Sequence, residues 1–147
     1  MPARSATSAA HKPVDEKITI NLGYVDLGQI DLLVQEGFYS NRTDFIRNAI
    51  RAQLVTHAEV VRQTVTRRTL VLGLQDYSKA DLEKARKAGS KLQIQVLGLV
   101  RIAPDVSPKL ALDTIESIVV LGALNASPAV KAALADRISY ATRRNQQ

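Results

Sequence analysis

Residues 17–22, Lys-Ile-Thr-Ile-Asn-Leu, alternate polar and apolar without a break. Ile18, Ile20 and Leu22 fall on one side of an extended chain and Lys17, Thr19 and Asn21 on the other, which predicts one short strand with one apolar face. The period then changes. Over Asp26–Glu36 the apolar residues Leu27, Ile30, Leu33 and Val34 recur at helical spacing, which predicts an amphipathic helix of about three turns. Asp26 with Gln29 makes a capping pair, and Gly37 stands where a helix ends in a left-handed residue. After Phe38 and Tyr39, which are expected to pack under the turn, Ser40 or Asn41 caps a second helix. Its apolar positions are Phe45, Ile46, Ala49, Ile50 and Leu54, and they continue through Ala58, Val61 and Val65 with no Gly or Pro. That predicts one long helix to about residue 66.

Beyond residue 67 the chain repeats itself. Leu-Val-Leu-Gly-Leu at 70–74, Gln-Val-Leu-Gly-Leu at 95–99 and Val-Val-Leu-Gly-Ala at 119–123 place Gly73, Gly98 and Gly122 at intervals of 25 and 24 residues. Each string leads to a helix start. Ser78–Asp81 has a capping-box pattern, and Ser107-Pro108 and Ser127-Pro128 pair an N-cap serine with a proline at the first helical position. An Ala/Leu-rich helix follows each. Residues 67–139 therefore read as three short β-loop-α repeats, whose strands are expected to pair in parallel in a stacked, solenoid-like layer.

The single strand near the N-terminus sets a problem. One strand and two helices, about 40 residues, cannot close a core alone, and a lone strand has two unpaired edges. A twofold axis solves both: two copies pair their strands antiparallel over four helices. Ile18, Ile20 and Leu22 then join Ile30, Leu33, Phe45, Ile46 and Ile50 in a shared dimer core. Lys17, Thr19 and Asn21 face outward. A two-stranded ribbon of this kind fits the DNA major groove, where lysine donates to guanine, asparagine pairs with adenine and threonine bonds either edge.

Charge agrees without deciding. The chain carries +6, +2 over residues 1–68 and +4 over 69–147, and has no long basic run, so a nucleic-acid site must be assembled by folding. Arg47 and Arg51 read as a solvated face with Asp44 as a helical partner of Arg47. Apolar residues make up 46% and charged residues 23% of the 147, as in a globular protein. There is no cysteine, and the two histidines, His11 and His57, are far apart. No disulfide, thiol nucleophile or metal site is expected, and no cofactor. No apolar run spans a bilayer and no secretory h-region opens the chain. No membrane partner and a cytoplasmic location are expected.

The stretch Lys17–Leu54 resembles the ribbon-helix-helix family of CopG/Arc/MetJ-type repressors. The strand Lys-Ile-Thr-Ile-Asn-Leu, the helix at 26–36 and the run Gly-Phe-Tyr-Ser-Asn-Arg-Thr-Asp-Phe-Ile-Arg-Asn-Ala-Ile-Arg at 37–51 occur in the family's order and spacing. The resemblance covers about a quarter of the chain and implies a homodimer that binds double-stranded DNA. It implies base reading by Lys17, Thr19 and Asn21, and a phosphate grip at the N-terminus of the second helix, here Ser40, Asn41 and Arg42. Free N–H groups and the positive dipole end favour an anion there. The ribbon has no arginine, and Asp15 and Glu16 precede it. A nickel-sensing member would need nitrogen or sulfur ligands in its C-terminal part; residues 67–147 contain neither His nor Cys.

The fold class expected is therefore α/β: an N-terminal ribbon-helix-helix domain at 15–66, swapped into a two-stranded antiparallel ribbon in a dimer, and a repeat domain at 67–139. A disordered arm, residues 1–14 with Arg4 and Lys12 able to touch phosphate, precedes them, and a polar tail at 140–147 follows. The function expected is a homodimeric, sequence-specific transcriptional regulator, a repressor, with the repeat domain able to extend the assembly to a higher oligomer. Two alternatives stand beside it. One is an antitoxin whose C-terminal part binds a toxin. The other is an assembly protein in which the repeats do the work. Scattered carboxylates at Asp76, Asp81, Asp105 and Asp113 suit caps and turns, no P-loop or GxGxxG occurs, and neither histidine has an activating neighbour, so no enzyme activity is expected.

Overall fold

A computed structural model describes residues 15–140. The predicted arm, with Arg4 and Lys12, and residues 141–147 of the predicted tail lie outside the described residues. The elements run α1 (Tyr24–Gln35), α2 (Arg42–Thr56), α3 (Ala58–Arg67), β1 (Val71–Tyr77), α4 (Lys79–Lys87), β2 (Leu92–Ile102), α5 (Pro108–Thr114), β3 (Ile115–Asn125), α6 (Pro128–Ala133) and β4 (Ile138–Tyr140). The chain is a mixed α/β protein of two compact units that divide between Ala52 and Gln53.

In the N-terminal unit α1 starts two residues before the predicted cap. Gly23, in extended conformation (φ −65°, ψ 150°), precedes the first turn, and Asp26 makes no capping bond but lies inside that turn, where its charge suits the helix dipole. The exit is as predicted. Gly37 adopts φ 84°, its N–H donates to Val34 O and that of Phe38 to Leu33 O. This is the Schellman arrangement, which a left-handed residue makes possible. The long second helix is in fact two. The ladder stops at Thr56, His57 takes φ −101° and ψ 8°, and α3 begins at Ala58. Its amphipathic pattern runs across the break, so periodicity could not reveal it.

The C-terminal unit contains a four-stranded sheet in the order β1-β2-β3-β4 with every neighbouring pair parallel. It has one strand more than the three predicted, because Ile138–Tyr140 adds a short edge. Register puts Gly73 opposite Gly98 and Gly98 opposite Gly122. All three have positive φ, at 119°, 143° and 121°. A Cβ on Gly98 would lie 2.1 Å from Gly73 O, and one on Gly122 2.1 Å from Gly98 O. No side chain fits such a gap, so the glycine interval is a packing requirement between adjacent strands.

The last three helices of this unit, α4, α5 and α6, start on the predicted serines. The Ser78 hydroxyl accepts from Asp81 N–H while Asp81 accepts from Ser78 N–H. Ser107 and Ser127 accept from Leu110 and Val130 N–H, each followed by proline at the first turn. Leu82, Leu110, Ala111, Val130 and Leu134 pack with Ile94, Val96, Val100, Ile102, Ile118, Val120 and Leu124 in one buried cluster. Each large member contributes about 1.5–3 kcal/mol by leaving water. Arg137 ties the edge in place: its Nη1 donates to Leu112 O and Ile115 O at 2.8 and 2.7 Å, and its own carbonyl accepts from Ile118 N–H.

Candidate nucleic-acid interface

Residues 15–23 form neither helix nor strand in the single chain, and all are exposed. Lys17, Thr19 and Asn21, the predicted base readers, lie on this segment together with Ile18, 74% exposed, and Ile20, 57% exposed. A strand exists only through its ladder hydrogen bonds, and this segment has no partner strand among the described residues of its own chain. The predicted dimer core shows the same condition. Ile30 is buried; Leu33, Phe45 and Ile46 are half-buried; Ile18, Ile20, Leu22 and Ile50 are exposed. The Tyr39 ring stands edge-on to Phe45 with centroids 5.0 Å apart. Phe38, also expected to pack under the turn, is instead exposed.

The predicted phosphate residues meet at the start of α2. Asn41 is its N-cap: Oδ1 accepts from Asp44 N–H at 2.8 Å. Asp44 closes the turn by accepting from Ser40 N–H at 3.0 Å and from Asn48 Nδ2 at 2.9 Å. It therefore supports the cap and Asn48, where the sequence suggested Arg47. Asn41 followed three residues later by a carboxylate is a capping signature that was readable in the sequence. These bonds engage the N–H of Asp44, and Phe45 N–H donates to Asn41 O. Those of Arg42 and Thr43, the first two of the helix, have no partner within it. They make the end of α2 able to accept an anion.

Arg42 is not a free cation beside that end. Its Nε and Nη2 donate to the two Asp31 carboxylate oxygens at 2.7 and 2.8 Å, a fork-on-fork pair between α1 and α2. The hydrogen-bonded guanidinium holds the Asp31 carboxyl below its ordinary pKa, and Asp31 in turn raises that of Arg42. Both side chains are about half exposed, so the pair can exchange with solvent ions. Nothing in local periodicity announces a partner eleven residues away.

Comparison with known proteins bears on this unit and beyond it. Residues 13–131 match the ribbon-helix-helix transcriptional regulator family. The chain belongs to that family. Membership points to DNA-binding transcriptional regulation, and the match runs past the two helices through β3 and into α6. An uncharacterised protein of Methanocaldococcus jannaschii is 39% identical over 41 residues, which are 28% of this chain and 42% of that protein. The chain thus spans less than half the length of that curated relative. No solved structure matches. No helix among the described residues is long and apolar enough to cross a membrane.

Proposed function

We propose that this regulator is a homodimer that represses transcription by reading a specific operator in the major groove. Residues 15–66 serve as the DNA-binding and dimerisation domain and residues 67–139 as a repeat domain that organises the assembly. In this reading the 17–22 segments of two copies pair antiparallel. Ile18, Ile20 and Leu22 turn inward against Ile30, Leu33, Phe45, Ile46 and Ile50, and Lys17, Thr19 and Asn21 turn toward the bases. Ser40, Asn41 and Arg42 at the start of α2 hold a backbone phosphate, with Arg42 exchanging Asp31 for the phosphate when DNA arrives.

The observation that carries the reading is the exposure of Ile18 and Ile20 in a strictly alternating segment of a ribbon-helix-helix family member. Such a segment buries its apolar face only by pairing with another chain. Selection from random duplex DNA tests it. A palindromic motif should emerge from the native protein and be relaxed by Asn21→Ala and Thr19→Ala, each lost base contact costing about 1–3 kcal/mol. Binding without an enriched motif, weak and steeply salt-dependent, would reduce the charge to nonspecific attraction and end the reading.

A further inference from the structure

The sheet of the C-terminal unit has two unlike faces. Alternation along the strands sends Ile94, Val96, Val100, Ile118, Val120 and Leu124 into the helix-covered core. It sends the intervening residues the other way. Register aligns these in rows: Leu72–Leu97–Leu121, then Leu74–Leu99–Ala123. Leu72 is 67% and Leu74 45% exposed, and the remaining four are only half-buried. A sheet normally covers both faces when its strands are parallel; here the second face is an apolar band with no helix of the described C-terminal unit packed over it.

We infer that this open face docks against the same face of a second copy of the chain. Charge favours that occupant. The chain carries +6, and two copies repel wherever that charge is presented. On the open face the next row is Asp76 paired with Arg101, Nε to Oδ1 at 2.7 Å and Nη2 to Oδ2 at 3.1 Å, followed in register by Asn125. The two charges cancel, so like faces meet without repulsion, while a strongly charged partner finds no complement. The band is continuous across three strands, which suits another sheet face at the usual spacing of about 10 Å.

Size sets the strength. Three strands about 4.8 Å apart and about six or seven residues of roughly 3.3 Å each give an area near 300 Å² per copy, about 600 Å² for a pair. Free-standing association generally needs about 1,200–2,000 Å². The face is therefore suited to two copies already joined elsewhere, which raise each other's effective concentration to the millimolar range. That tether is the proposed ribbon dimer, and this part of the inference rests on it.

The full chain has no cysteine, which makes the test direct. Ala123→Cys places one thiol in the apolar band, and Ala132→Cys places one on the exposed side of α6 as a control. Oxidation with copper phenanthroline, and separately a short bismaleimide, should link Ala123→Cys chains and leave Ala132→Cys chains single. Adding Leu72→Lys, at the most exposed leucine, or Leu97→Lys should cut the linked fraction at least tenfold with the circular dichroism spectrum unchanged. Light scattering on the same samples reports the ribbon dimer independently, because these lysines lie outside it. No link at position 123, or a link that survives both lysines, overturns the inference whatever the measured mass. A monomeric mass would count against the ribbon reading. Protection of the position 123 thiol from alkylation without cross-linking would mean that another occupant covers the face, and would also overturn it.

Discussion

The two units of this chain have solved the same problem, burying apolar surface, by different means. In the C-terminal unit Leu82, Ile94, Ile115, Ile118, Val130 and Leu134 are almost wholly removed from water. Within the N-terminal unit Ile30 is the one buried residue among those described. Composition does not separate them, since both carry abundant Ile, Leu and Val. Connectivity does. Three β-α units on one chain give each strand a neighbour and each helix a sheet to cover. The described residues of the N-terminal unit form two helices and, at 15–23, neither helix nor strand.

That contrast can be broken most sharply at the glycines. Gly98→Ala forces a Cβ to 2.1 Å from Gly73 O at φ 143°. It should destabilise the C-terminal unit by at least about 3–4 kcal/mol, the range of severe backbone and packing conflicts. Gly73→Ala meets nothing within 4 Å and has only its positive φ of 119° to pay for, a cost of about 1–3 kcal/mol. Urea denaturation followed by circular dichroism should rank them in that order. Equal losses would mean that strain, not strand approach, explains the ladder.

Concentration sharpens the contrast next. Ile20→Ala should weaken the proposed ribbon dimer, shifting a concentration-dependent N-terminal transition to lower urea. Ile118→Ala should instead cost about 2–5 kcal/mol in the C-terminal unit and leave the N-terminal transition in place. If both transitions ignored concentration, the N-terminal unit would be stable alone.

Caps come third. Ser127→Ala removes the acceptor for Val130 N–H and should cost about 1 kcal/mol, seen in the C-terminal transition alone. The smallest effect expected is electrostatic. Asp31 has a lowered pKa when folded because Arg42 hydrogen-bonds its carboxylate. The pair therefore contributes stability above the unfolded carboxylate pKa of about 3.9, lost as pH falls through the lower folded value. Asp31→Asn should flatten that acid-side dependence slightly for the N-terminal transition and leave the C-terminal one untouched.

Much of this was written locally. The glycine interval, the caps Ser78, Ser107 and Ser127 and the Gly37 turn all depend on residues within a few positions of one another, and each is found where the sequence placed it. Local signals also misled. Asp26 looks like a cap, yet the extended Gly23 lets the helix begin earlier. The break at His57 has neither Gly nor Pro to mark it. Ile138–Tyr140 is too short a strand to show a period. At the candidate DNA interface the capped start of α2 was legible. The Asp31–Arg42 pair was not, because it joins two helices across a turn.

By itself, then, the sequence located α1, the starts of the last three helices and the three long strands of the sheet. Those features follow from backbone sterics, hydrogen-bond capping and periodicity, which act over one or two turns. Only the tertiary structure decided that Gly73, Gly98 and Gly122 stand shoulder to shoulder, that Arg101 reaches Asp76 twenty-five residues back, and that one face of the sheet is left apolar and open. Those depend on parallel register, and register is set by how strands and helices pack together, which no single stretch of chain encodes.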